Sequence, residues 1–166
     1  IMKNKYLWVG SIAGVVLLLD QVTKFLVMRR IGMFEVITVI PGFFNLTYVR
    51  NRGAAFGMLA GVPGIWRSAF FIVVTVIAIA AIVLLIRKTS ERLLVAAFSL
   101  IAGGALGNLI DRIRYGEVVD FIDWYVRSHH WPTFNVADSA ISVGVGLLVI
   151  DMLFGASTKS QAPNPK

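Results

Sequence analysis

The chain has 166 residues, 57% of them hydrophobic and 15% charged, with a mean hydropathy of +0.78. Soluble domains carry about a quarter charged residues, so these totals exclude an ordinary soluble globule and point to an integral membrane protein. Cysteine is absent, which excludes disulfides and thiolate chemistry, and the net charge of +7 is spread over loops and span ends, as suits anionic lipid and topology rather than nucleic acid.

Lys3 to Asp20 has the basic-then-apolar pattern of a signal peptide, but no small-x-small cleavage site follows, so it reads as a retained first span. Span 1 covers about residues 6–28. It is apolar up to Leu19 and then carries Asp20, Gln21 and Lys24. Asp20 and Lys24 are four apart, on one helix face, in the order that favours pairing. They read either as a structural ion pair or as part of a functional site.

Arg29 to Val62 breaks the helical pattern. Glu35 to Ile40 is rich in β-branched residues, Pro41-Gly42 is a turn signal, and Phe43 to Val49 again reads as strand. Open sheet edges cannot sit in lipid, so this hairpin lies at or above the interface. Span 2, about 66–86, is a packing or lipid-facing helix with no charge from Ser68 to Ile86. A short connector makes span 3, about 93–110, its antiparallel neighbour. Span 3 holds Gly103-Gly104-Ala105-Leu106-Gly107, small residues suited to close helix contact.

Tyr115 to Trp131 is a second non-spanning section. Trp124, Tyr125 and Trp131 fit an interfacial aromatic belt. His129 and His130 lack the spacing of a zinc site and read as solvated surface residues. Span 4 covers about 135–155, and 157–166 reads as a disordered polar tail. The predicted fold is an all-α membrane protein. It has four transmembrane helices, a small β-hairpin cradle at or above the interface and a short lid segment hinged at Gly116, within one domain over 1–156.

Four spans put both termini on one side and both excursions on the other. Asp20, Lys24, Asn51, Asn108, Asp111, Arg112, Asp120, Asn135 and Asp138 then all fall on the excursion side, while the opposite halves are nearly pure hydrocarbon apart from Asp151. Basic residues are shared between the sides and do not orient the chain. Asp120 and Asp138 sit in apolar frames, Val118-Val119-Asp120-Phe121-Ile122 and Val136-Ala137-Asp138-Ser139-Ala140. Two carboxylates that meet hold one shared proton near neutral pH. The ionised member can deprotonate an attacking water while the protonated member hydrogen-bonds a carbonyl oxygen. Such a pair needs no metal, cofactor or serine triad. Asp111 is expected to partner Arg112, and Asp123 to be a solvated lid residue.

Five stretches carry a resemblance: Asp20-Gln21-Val22-Thr23-Lys24, Asn51-Arg52-Gly53-Ala54-Ala55-Phe56, Gly107-Asn108-Leu109-Ile110-Asp111-Arg112, Val118-Val119-Asp120-Phe121 and Phe134-Asn135-Val136-Ala137-Asp138-Ser139. In this order they resemble the motifs of the bacterial lipoprotein signal peptidases, or signal peptidase II, over nearly the whole chain. The resemblance implies an aspartic endopeptidase of the bacterial inner membrane that removes signal peptides from diacylglyceryl-modified prolipoproteins, cutting before the lipidated cysteine. It implies Asp120 and Asp138 as catalytic dyad. Asn51, Asn108, Arg112 and Asn135 would line the site, with Asp20, Lys24 and Asp111 in support. It further implies cytoplasmic termini, an extracytoplasmic hairpin cradle, a site facing the periplasmic side and inhibition by globomycin-type cyclic peptides; no metal or other cofactor is expected, and the chain is expected to act as a monomer in contact with membrane lipids. Arg52 receives no role.

Three rival readings differ in what they require. A proton- or ion-coupled transporter needs polar steps through both leaflets. A magnesium-dependent head-group transferase needs carboxylates clustered at helical spacing, which Asp111, Asp120 and Asp138 do not offer. A non-catalytic membrane subunit would leave the aspartates as structure alone.

Overall fold

The computed structural model describes residues 4–53 and 63–155. The motif residues Ala54, Ala55 and Phe56 and the predicted tail lie outside them. Four helices are long and apolar enough to cross a membrane: α1 (Lys5–Arg30), α2 (Gly64–Lys88), α3 (Arg92–Tyr115) and α4 (Val136–Ile150), the last prolonged by a π-helical segment, Asp151–Gly155. The ends obey local chemistry. Arg29 and Arg30 close α1 and Arg87 and Lys88 close α2, where a cation meets the negative end of the helix dipole. Gly116, at φ +73°, caps α3 in the left-handed conformation that glycine adopts without strain. Helix α3 therefore runs past the predicted end at Ile110, and Asp111 and Arg112 are helical residues.

Helix α3 is the centre of the bundle. It packs most extensively on α4 and α1 and less on α2. Its small residues permit this. A Cβ on Gly103 would meet the Ala13 backbone at 2.9 Å, and one on Gly144 of α4 would meet the carbonyl oxygen of Ala97 at 2.7 Å. With lipid as apolar as any side chain, close backbone approach is what holds such helices together.

The predicted hairpin is present as β1 (Val36–Ile40) and β2 (Phe44–Asn51). The segment read as a lid is built into the same sheet, as β3 (Val118–Val126) and β4 (His129–His130), giving an antiparallel order β1-β2-β3-β4. Alternation along β3 divides its side chains between two faces. Val119 and Phe121 pack with Val27, Ile31 and Tyr48 in a core between α1 and the sheet. Asp120 lies between them in sequence and points the other way.

Asp123 is corrected by the structure. It is buried, accepting from Asn45 Nδ2 at 2.8 Å and lying 2.8 Å from His130 Nδ1. It shares its face of β3 with Val119 and Phe121, so the pleat turns it inward. His130 also stacks on Tyr125 at 5.0 Å, while its side chain stays half exposed.

Candidate active site

The chain entering α4 is zipped onto β3. Phe134 and Ile122 exchange backbone hydrogen bonds at 2.8 and 3.1 Å. This pairing delivers Asn135, the N-cap of α4, beside Asp120. Asn135 and Asp138 form a capping box: Asn135 Oδ1 accepts from the Asp138 amide at 2.9 Å, and Asp138 Oδ2 accepts from the Asn135 amide at 3.3 Å. The same Asn135 donates Nδ2 to Asp120 Oδ1 at 2.7 Å and to the Val119 carbonyl at 3.1 Å. One asparagine thus holds both carboxylates.

Two further amides complete the frame. Asn51, at the end of β2, donates to Asp120 Oδ2 at 2.9 Å. Asn108 of α3 donates to Asp138 Oδ1 at 2.8 Å. The Oδ1 of Asn108 accepts from Asn135 Nδ2 at 3.1 Å and from Lys24 Nζ at 3.0 Å. With its oxygen occupied by two donors, the Asn108 amide can turn only its nitrogen to Asp138. Arg112 anchors on the Asn108 carbonyl at 3.4 Å, sits over the Phe71 ring, and lies within electrostatic reach of both aspartates.

Asp120 is buried, and that burial raises its pKa from 3.8 to about 7; the Asn51 hydrogen bond opposes the rise and the nearby Asp138 charge adds to it. A carboxyl poised near neutrality can both take and give a proton. A cavity of about 380 Å³ opens beside Asp138, walled by Trp124, Trp131, Phe134, Ser139, Ser142 and Val143.

Beneath the pair is a fully buried ion cluster. Lys24 Nζ lies 2.9 Å from Asp20 and 2.8 Å from Asp111. Asp111 therefore pairs with Lys24, not with Arg112 as expected, because adjacent residues on a helix point in different directions. Gln21 received no role from the sequence, yet its Nε2 reaches Asp20, Asp111 and the Gly107 carbonyl at 3.1–3.2 Å. Its signal was an amide beside a carboxylate in an apolar run. The backbone amides of Val119 and Ala137, which the cluster also holds, could not have been found from residue type.

Every side chain in this network belongs to the same end of the bundle: the last turns of α1 and α3, the first turn of α4, and the sheet. Two aspartates held by shared amides at one end of a four-span bundle that carries a small sheet define a multi-pass membrane protein in which Asp120 and Asp138 can exchange protons as an acid–base pair. The signal peptidase (SPase) II family profile matches residues 12–154. The chain belongs to that family and is a peptidase. It is 52% identical to the lipoprotein signal peptidase of Syntrophus aciditrophicus over 96% of this chain and 100% of that protein. It is 51% identical to the lipoprotein signal peptidase of Geobacter metallireducens, over 92% and 94%. A solved bacterial membrane enzyme superposes with a TM-score of 0.82 at 38% identity, covering 95% of this chain and 94% of that one.

Proposed function

We propose that Asp120 and Asp138 are the catalytic dyad of an endopeptidase that removes signal peptides from diacylglyceryl-modified prolipoproteins, cutting before the lipidated cysteine. The observation that carries this reading is the double grip of Asn135 on Asp120 and Asp138. Water between the two carboxylates gives its proton to the ionised one as it attacks the scissile carbonyl. The protonated one hydrogen-bonds the carbonyl oxygen. A proton then passes to the leaving amine as the C–N bond breaks. Asn51, Asn108 and Asn135 orient the carboxylates, and Arg112 offers charge to substrate backbone.

A lipidated cysteine stays in the bilayer, so the scissile bond arrives at headgroup depth. The cavity beside Asp138 supports lateral access, since Val143 on its wall is exposed on the outer face of α4. The enzyme acts as a monomer in the bacterial inner membrane, with cytoplasmic termini and the dyad at the periplasmic leaflet. Globomycin-type peptides block the site.

The test is cleavage of a lipidated prolipoprotein by purified protein in EDTA. Asp120→Asn and Asp138→Asn are each expected to lower kcat by about a thousandfold or more, within the range of positioned acid–base groups. Full activity in either variant would sink the dyad. Loss of wild-type activity in EDTA would favour metal chemistry.

A further inference from the structure

The buried cluster around Lys24 is connected to the dyad in a symmetrical way. Asp111 Oδ2 accepts the backbone amide of Val119 at 3.1 Å, and Val119 immediately precedes Asp120. Asp20 Oδ1 accepts the backbone amide of Ala137 at 2.9 Å, and Ala137 immediately precedes Asp138. Each supporting carboxylate therefore grips the main chain one residue before a dyad aspartate. Lys24 bridges the two supporting carboxylates at 2.8 and 2.9 Å, and its third contact, Asn108 Oδ1 at 3.0 Å, leads to Asp138 through the Asn108 amide.

We infer that Lys24, Asp20 and Asp111 form an ionic clasp that sets the separation of Asp120 and Asp138. This rests on the dyad reading above and says how the dyad is held. Asp120 comes from a strand and Asp138 from a helix, and 17 residues of chain separate them. Their spacing needs a fixed reference, and the clasp supplies one from α1 and α3. All three members are buried, with relative exposures of 0–1%. In such surroundings a broken contact leaves an uncompensated charge, so the arrangement does not drift. Two acids and one lysine leave the clasp formally one charge negative. That excess is met by donors: the Val119 and Ala137 amides and Gln21 Nε2. Lys24 faces Asp20 from its own helix, Asp111 and Asn108 from α3, Asp138 from α4 and Asp120 from β3, and its charge acts on both dyad members.

These are positioning residues; they touch no substrate. Their removal leaves every dyad atom in place chemically but frees the spacing between the two carboxylates. Mutual interaction separates the two apparent pKa values of a carboxylate pair, so a looser pair titrates in two closer steps. The experiment is a full pH–rate profile for Lys24→Met in the purified protein, with a lipidated prolipoprotein as substrate. Expected are a kcat lower by about a hundredfold, the scale of a misplacement near 1 Å, a nearly unchanged KM, and limbs of the profile drawn together. A kcat within about threefold of wild type, or a lower kcat with the spacing between the limbs unaltered, overturns the clasp; a displacement of both limbs together reports only the lost Lys24 charge and overturns it too. If Lys24→Met does not fold, the isosteric Asp20→Asn and Asp111→Asn are measured instead. Both must narrow the profile; a wild-type limb spacing in either overturns the clasp. Should Asp120→Asn or Asp138→Asn retain activity, the dyad itself fails and the clasp with it. Inactive dyad variants beside a wild-type profile in Lys24→Met overturn the clasp alone.

Discussion

Helices α2 and α3 are of nearly equal length, 25 and 24 residues, and both are apolar enough to span a membrane, yet α2 buries only Ile82 and Ile86 in the protein whereas α3 buries twelve residues. Helix α2 is the more hydrophobic of the two and the more peripheral. In water the reverse sorting would hold, because apolar area seeks the interior. In lipid the bilayer accepts apolar side chains as readily as a protein core does, and small residues that admit a neighbouring backbone decide which helix is central. Helix α3 presents such residues on two sides: Gly103 and Gly107 toward α1, Gly104 toward α4.

The sharpest way to break this contrast is to fill one of those contacts. A side chain on Gly104 would run into the Ala137 carbonyl and would lie 2.8 Å from Ile141 Cγ1. Backbone cannot yield as a flexible side chain does. Gly104→Val is therefore expected to cost about 3 kcal/mol or more, at the upper end for overpacking. Because Ala137 precedes Asp138, activity should fall with it. Thermal unfolding in detergent together with a prolipoprotein cleavage assay measures both. An unshifted Tm would show that α3 and α4 have room to separate. Gly107→Ala is the subtler companion. Its new methyl would meet Asp20 Oδ2 at 2.5 Å. It should lower kcat more than its modest stability loss accounts for.

The dyad supplies a second, smaller contrast, in pH. No ionisable residue interrupts α2 between Ser68 and Ile86, whereas Asp120 has a folded-state pKa raised from 3.8 to about 7 by burial. A raised carboxyl pKa means that the folded state holds the proton more tightly than the unfolded chain. The associated stability is fully present below the unfolded value and is lost as pH rises through about 7. Asp120→Asn removes this titration. Its Tm relative to wild type should therefore increase between about pH 4 and about pH 8, whatever the variant's activity. A parallel pair of curves would place the ionisation of Asp120 outside that window. Wild-type activity should decline on the alkaline side near the same pH, as the pair loses its shared proton.

Much of this architecture was legible in the sequence because a membrane imposes simple rules. Span length, the turn at Pro41-Gly42 and the confinement of Asp20, Lys24, Asn108, Asp120 and Asp138 to one side follow from hydropathy and counting. The Asn135-x-x-Asp138 spacing also carries the pattern of a capping box. Three things were not legible. The sheet pairing of β3 with β2 is a non-local register, and an aromatic Trp124-Tyr125 segment looks the same whether it forms a strand or a lid. The partner of Asp111 depends on helix phase across two elements, so proximity in sequence to Arg112 does not identify it. The burial of Asp123 depends on which face of β3 turns inward, which the apolar neighbours Phe121 and Ile122 leave open, since both faces carry them.

The smallest expected effect sits within α2 itself and separates its two sides. Ile82 is buried and packs in a cluster with Ile86, Phe98 and Ala102, whereas Ile77 is 63% exposed to the bilayer. Ile82→Ala removes contacts with α3 that lipid cannot reproduce against a protein groove and should cost about 2 kcal/mol, at the lower end for truncation of a buried aliphatic. Ile77→Ala exchanges one lipid contact for another and should stay within about 0.5 kcal/mol of wild type, with activity unchanged. Both variants delete the same atoms from the same helix, so intrinsic helix propensity cancels between them. What remains is the difference between a protein neighbour and a lipid neighbour. Equal losses at the two positions would mean that the Ile77 face of α2 also meets a protein partner, and the peripheral place of α2 would have to be redrawn.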